Sequence, residues 1–260
     1  MSGSARPISS GVASFGLVSI PFKVYVATHA EESQFNLLHD RCKGRLKQQY
    51  VCPGCGGEVV DRGHTCRGFE YAKDSYVTFT ESELKQLESQ KTTSLEIVEF
   101  VPESAIDLVQ IEKSYYLGPD KGSDKAYQLL VLAMTHEHRI AVGRFWTHGK
   151  LQLVLLRPYK AGILMHYCYY ASEIRAFEGI APAKATEFTK VEMDLARKLV
   201  AQLSSHAFDP NKYRDEYRDR VRAAVDRKVA GLELKVAEDA PTPTITDLFE
   251  ALKRSLRSDR

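Results

Sequence analysis

Four cysteines fall within one short segment, Cys42, Cys52, Cys55 and Cys66, in the pattern C-x9-C-x2-C-x10-C. The inner pair lies in Cys52-Pro53-Gly54-Cys55-Gly56-Gly57 and has the form of a knuckle. Two thiolates three positions apart can grip one tetrahedral ion while glycines let the backbone turn around it. The outer two lie at distances that let two strands return to the same point, so the spacing predicts a structural Zn2+ held by all four thiolates. His64 could stand in for one ligand, but Cys66 is the softer donor. Four protein ligands leave no coordination position for water, so such a zinc stiffens the chain and performs no chemistry. Disulfides are the competing use of these thiols. The opening MSGSARPISS has no apolar core of signal-peptide length, which disfavours an oxidising compartment and points to an intracellular protein. Cys168, set among Tyr167, Tyr169 and Tyr170, reads as a core or strand residue.

Two sets of cations come next. Arg41, Lys43, Arg45 and Lys47 alternate, so in an extended chain all four project from one face beside the cysteine knuckle. Arg139, Arg144, Lys150, Arg157, Lys160 and Arg175 run through 139–175, where Glu173 is the one acid and Trp146, Tyr159 and Tyr167 are interleaved. Cations on strands neutralise phosphates without reading base edges, and the affinity they give falls steeply with salt. The competing reading is the wet face of a half-buried sheet. The net charge of +2 would not by itself point to nucleic acid. The segment 81–112 is acidic, however, and an asymmetry of this kind turns one surface toward an anion.

Signatures of catalysis are missing from the sequence. It contains no G-x-x-x-x-G-K-[ST] phosphate loop, no H-E-x-x-H, no G-x-S-x-G and no G-x-G-x-x-G. His136 and His138 stand two apart, too close for one helical face. A two-metal nuclease needs carboxylates converging on paired ions, and the acids here are scattered through segments that read as exposed helices. A binding protein is expected, not an enzyme.

The elements that must position these groups are mostly strands in the first two-thirds of the chain. At 260 residues, 43% apolar and 27% charged, the chain can bury a sizeable core, and no stretch is long enough to cross a membrane. Alternation predicts extended chain over 12–27 and strands over 77–79, 95–101, 113–117, 140–146, 151–156 and 164–170, with a hairpin turn at Thr147-His148-Gly149-Lys150. Many short strands at this spacing argue for a barrel or sandwich. Thr80-x-x-Glu83 is a capping box, and Ser123 is placed to cap a helix with Tyr127, Leu130, Val131 and Met134 on one face. Beyond Pro182 the period becomes helical. Thr189-x-x-Glu192 caps a helix carrying Leu195, Leu199 and Leu203, and Asp209-Pro210 opens another with Tyr213, Tyr217, Val221 and Val225. Residues 236–243 read as a Pro-rich linker, followed over 244–260 by a short helix with Leu248, Phe249, Leu252 and Leu256 on one side.

Several separate motifs, in order, resemble the bacterial Ku proteins. They are Ser14-Phe15-Gly16-Leu17-Val18-Ser19-Ile20-Pro21-Phe22-Lys23-Val24-Tyr25, Phe35-Asn36-Leu37-Leu38-His39 and Gly68-Phe69-Glu70-Tyr71, then Lys113-Ser114-Tyr115-Tyr116-Leu117, Leu155-Leu156-Arg157-Pro158-Tyr159 and Phe208-Asp209-Pro210-Asn211-Lys212-Tyr213. The resemblance implies a mainly β fold with α: a Ku-type β-barrel core with a dimerising arm and a helical C-terminal part, spanning 1–235. The small four-cysteine zinc-binding insertion at 42–66 is inferred from the residues more than from the family. The resemblance further implies a homodimeric ring threaded by double-stranded DNA ends in non-homologous end joining, in a bacterial, nucleoid-associated cytoplasmic setting. The tail helix looks like the element that recruits the ATP-dependent ligase D, and docking of its apolar face into a groove fits that role. Read without the resemblance, the chain is a zinc-stapled adaptor whose basic strands bind RNA or an acidic protein surface.

Overall fold

The structure, a computed structural model, describes residues 6–29, 35–87, 93–147, 149–180 and 187–233. Eleven strands follow in chain order: β1 (Ser9–Phe15), β2 (Val18–Val26), β3 (Tyr50–Cys52), β4 (Glu58–Val60), β5 (Arg67–Ala72), β6 (Ser75–Phe79), β7 (Ser94–Pro102), β8 (Ile111–Pro119), β9 (Arg139–Thr147), β10 (Lys150–Tyr159) and β11 (Gly162–Cys168). Among the described residues there are four α-helices: α1 (Glu81–Leu87) and α2 (Asp124–His136) between strands, and α3 (Lys190–Leu203) and α4 (Glu216–Val229) after the last strand. The chain divides into two compact units, one of Met1–Ala30 with Asn36–Gly179 and the other of Glu31–Phe35 with Ile180–Arg260.

Seven strands close into a barrel in the order β1-β2-β8-β11-β10-β9-β7. Every neighbouring pair is antiparallel except β1 and β7, whose short parallel ladder (Val12 against Ser94) completes the circle. Closure leaves the barrel no free edge, which is how antiparallel sheets avoid templating aggregation. Alternation dictates its contents: Ile20, Phe22 and Val24 point inward from β2, Val154 and Leu156 from β10, Ile163 and Met165 from β11, and all are buried. α2 adds Tyr127, Leu130, Val131 and Met134 to the same core, the four residues that the periodicity placed on one face. Ser123 occupies its N-cap position, yet the side chain makes no cap; its hydroxyl donates back to the Asp120 carbonyl at 2.7 Å.

β7 and β9 approach closely where Gly143 lies opposite Ile97. A Cβ on Gly143 would stand 2.8 Å from the Glu96 carbonyl oxygen, which is backbone and cannot swing aside. Gly143→Ala is therefore expected to cost about 1–3 kcal/mol by overpacking. Urea denaturation of that variant is the check, and an unchanged midpoint would show that β7 can slide outward.

Two expectations need correction. The extended stretch over 12–27 is two strands, because Gly16 (φ 55°) and the exposed Leu17 turn the chain back on itself. The helix expected to start at Pro210 is two elements. A single 3-10 turn spans Pro210–Lys212, and α4 begins only at Glu216, capped by the Asp215 carboxylate accepting from the Arg218 N–H at 3.0 Å. Tyr167, interleaved with the cations in sequence, faces the interior. Its ring centroid lies 4.7 Å from Tyr115 and 6.0 Å from Phe145, and burial pushes its hydroxyl up to about 12. The linker at 236–243 and the tail helix with Leu248, Phe249, Leu252 and Leu256 lie outside the described residues.

Candidate nucleic-acid interface

The basic stretch on β9 and β10 is divided by the hairpin that carries it. Arg144 and Lys150 lie toward the turn, whereas Arg139, Arg157 and Lys160 gather at the opposite end of the two strands. Between them the outer face is not wet. Ile140, Leu155 and Cys168 form a second buried cluster there, flanked by Val101, Ile106, Val142 and Leu153. Burial pushes the Cys168 thiol up to about 11, which keeps it a neutral packing group.

At the far end Arg157 sits 3.4 Å from the Glu103 carboxylate and 5.8 Å from the centroid of Tyr159, over whose ring Lys160 also lies at 5.4 Å. Tyr159 stacks on Tyr116 at 6.0 Å, so an aromatic pair carries two cations on the outside of the barrel. Lys160 holds a left-handed φ of 53° in the two-residue turn before β11. Sequence reasoning missed this grouping, since Tyr116 and Tyr159 are far apart in sequence and meet only through the β8-β11-β10 ladders. Nearby, burial lowers the pKa of His166, the Arg157 charge lowers it further, and its Nδ1 is 2.8 Å from the Ser114 hydroxyl. Arg139 and Arg157 line a cavity of about 420 Å³ with Pro102, Glu103, His138 and Pro158. Arg144 faces solvent opposite Glu96 in the register, and Arg175 is exposed beyond β11. In the second unit α4 carries Arg218, Arg220, Arg222, Arg227 and Lys228, cations that the sequence reading did not single out.

The row expected from Arg41, Lys43, Arg45 and Lys47 does not form. The segment closes as a tight turn, with the His39 N–H donating to the Gly44 carbonyl at 2.9 Å and the Lys43 N–H to the His39 carbonyl at 2.8 Å. Leu38 and Arg45 make an isolated antiparallel bridge, and Lys43 is forced to φ 56°. All four cations are exposed, but turned chain does not alternate its side chains.

The four cysteines are likewise only partly gathered. Cys52 and Cys55 flank a single 3-10 turn and hydrogen-bond each other; the Cys55 side chain and backbone hold Cys52 below its ordinary thiol range, and the same contact raises Cys55. Cys42 pairs instead with His39, Sγ to Nδ1 at 3.3 Å. Cys66 stands exposed just ahead of β5. Among the described residues no three His, Cys, Asp or Glu side chains are placed to share one ion, so a closed four-cysteine site is not the arrangement found. The donor chemistry nevertheless suits zinc, because each pair joins soft or borderline donors across a short turn. No described helix is long and apolar enough to cross a membrane.

The family model of the Ku70/Ku80 beta-barrel domain matches residues 14–195, from within β1 into α3. Among curated proteins, the Non-homologous end joining protein Ku of Koribacter versatilis is 36% identical over 253 residues, 97% of this chain and 86% of its own length. The protein of that name from Archaeoglobus fulgidus is 36% identical over 254 residues, covering 97% and 99% of the two chains. That of Paraburkholderia phymatum is 38% identical over 258 residues, covering 97% and 83%. A closed barrel with six of its seven strands wholly inside the matched span, and relatives that match over 97% of this chain, lead to one conclusion: the chain belongs to the Ku family.

Proposed function

We propose that this protein is a homodimeric clamp on double-stranded DNA ends, acting in non-homologous end joining as a binding protein and not as an enzyme. The observation that carries the reading is similarity to end-joining Ku proteins over 97% of the chain. Dimerisation is supported by the two ribbons outside the barrel. β3-β4 and β5-β6 are separate two-stranded sheets, and Tyr50, Val51, Phe69, Tyr71, Tyr76 and Val77 are all exposed on them. A lone hairpin is marginal in water, so ribbons with this much bare apolar surface call for a covering surface, which a second copy would supply. Arg139, Arg144, Lys150, Arg157, Lys160 and Arg175 would meet phosphates, giving affinity without base readout. Zinc bound within 42–66, by Cys42, Cys52, Cys55 and Cys66, would stiffen the segment carrying Arg41 to Lys47. The tail over 244–260, with Leu248, Phe249, Leu252 and Leu256, would recruit the ATP-dependent ligase D.

A ring distinguishes topology from sequence, because a free end admits it and a closed circle does not. The test is competition binding with one DNA sequence supplied linear or as a relaxed, covalently closed circle, at about 150 mM salt, where non-specific phosphate binding is weakened. Competition by the linear form alone is expected. Equal competition by the circle would reduce the protein to a surface binder and remove the clamp.

A further inference from the structure

We infer that the outer wall of the barrel carries a stacking platform for the unpaired bases of a single-stranded DNA overhang, built from Tyr25, Tyr116 and Tyr159 with Arg157 and Lys160 beside them. Strand alternation puts these side chains on one face. Val24 and Leu117 are buried in the core cluster, so Tyr25 and Tyr116 next to them point outward from β2 and β8. Leu156 is buried there too, which turns Arg157 and Tyr159 outward from β10. The ladders then set the rings side by side. Tyr25 stands directly opposite Tyr116, and on β11 Leu164 stands opposite both Tyr116 and Arg157. Leu164 is buried, and Tyr116 and Tyr159 stack at 6.0 Å with their planes 23° apart. A Cβ at Gly118 would stand 3.0 Å from the Tyr25 ring, so this ring extends over bare backbone beside Tyr116.

A row of aromatic rings on a sheet suits an unpaired strand. Every base has a π-face, so stacking on tyrosine is independent of sequence, whereas the bases inside a duplex are already stacked on one another. Tyr116 is 40% exposed and keeps ring surface open to solvent. Tyr159 is the ring under the cations, with Arg157 Cζ and Lys160 Nζ 5.8 and 5.4 Å from its centroid. Partners for base and for phosphate therefore stand next to each other on one sheet surface, the combination by which single-strand-binding folds hold a chain. Lys160 makes no ion pair among the described residues. The Glu103 carboxylate beside Arg157 is 66% exposed, so a phosphate can displace it. Contact with a duplex backbone uses the cations alone and leaves the tyrosines without a part.

The assignment rests on the reading of the protein as a binder of DNA ends, and the test separates the two. Full-length protein is titrated at about 150 mM salt with a blunt linear duplex. The same duplex is then used with thymidine overhangs of about 12 nucleotides, inside the range that one single-strand-binding fold covers. One overhang base is replaced by the fluorescent 2-aminopurine, whose emission falls when it stacks. The wild type is expected to quench the probe and to bind the overhang duplex at least about 5-fold more tightly than the blunt one, the lower bound for one base stacked on an aromatic side chain. Tyr116→Leu should bind the blunt duplex as the wild type does, which shows that it folds, but lose both the preference and the quenching. Tyr116→Phe should keep both. Tyr25→Leu, at the other end of the row, should weaken both. Equal wild-type affinity for the two duplexes would overturn the platform, as would a preference and quenching that survive in Tyr116→Leu and Tyr25→Leu. Quenched overhang binding without any binding of the blunt duplex would leave the platform standing and remove the end-binding reading. Binding of neither duplex would remove both.

Discussion

Phe145→Ala is expected to destabilise the barrel by about 3–5 kcal/mol, the range for emptying a large aromatic from a packed core. Phe145 is 0% exposed, and its ring lies 6.1 Å from that of Phe22 and 6.0 Å from that of Tyr167. Truncation removes the transfer free energy of the ring and both aromatic contacts, each worth about 0.5–1.5 kcal/mol beyond area. The barrel cannot easily collapse into the space, because ladder hydrogen bonds around a closed sheet fix the diameter. At about 2–4 °C per kcal/mol for a chain of this size, the thermal midpoint should fall by roughly 6–20 °C. Leu129→Ala is the control. That residue is 67% exposed on α2, and its loss should stay within about 0.5 kcal/mol. A Phe145→Ala loss under about 1 kcal/mol would mean that the interior relaxes around the gap and is not tightly packed.

How far such a core was legible differs from element to element, and the reasons are physical. The buried face of α2 was readable because Tyr127, Leu130, Val131 and Met134 recur at helical spacing, and the β9-β10 hairpin because two alternating runs flank a short turn. Alternation left the face of Tyr167 open, because β11 is buried on both sides, with Ile163 and Met165 on one face and Leu164 and His166 on the other. Gly16 hid a strand break because alternation continues on both sides of it. The cations of 139–175 looked like one stripe because they are close in sequence, yet an antiparallel hairpin sends them to opposite ends. The pairing of His39 with Cys42 did leave a signal. Its three-residue spacing repeats that of Cys52 and Cys55, but a search keyed on cysteine alone passes over it. The aromatic pair under Arg157 and Lys160 left no local signal at all, since Tyr116 and Tyr159 come together only when the barrel closes.

Tyr127→Phe should cost about 2–4 kcal/mol although it removes one oxygen and leaves no large cavity. The Tyr127 hydroxyl donates to the Leu117 carbonyl at 2.6 Å and accepts from the Ile163 N–H at 2.9 Å, so it links α2 to neighbours on β8 and β11. Leu117 and Ile163 are 5% and 3% exposed, so water cannot readily replace the lost partner. Each orphaned backbone group then carries about 1–3 kcal/mol of uncompensated desolvation. The loss belongs to hydrogen bonding and not to volume, and alkaline pH separates the two. Burial raises the pKa of Tyr127, with the Ile163 N–H offsetting part of that shift. The folded wild type therefore keeps a proton that the unfolded chain releases once pH passes the ordinary tyrosine value of about 10. Wild-type stability must fall as pH rises through that region, because the native state binds more protons there. Tyr127→Phe lacks this contribution, so urea denaturation should show the gap between variant and wild type widest near neutrality and narrowing above about pH 10. A gap that stays constant across that range would mean that the hydroxyl contributes packing alone. Equal stability at neutral pH would mean that the bridge between helix and barrel contributes nothing net.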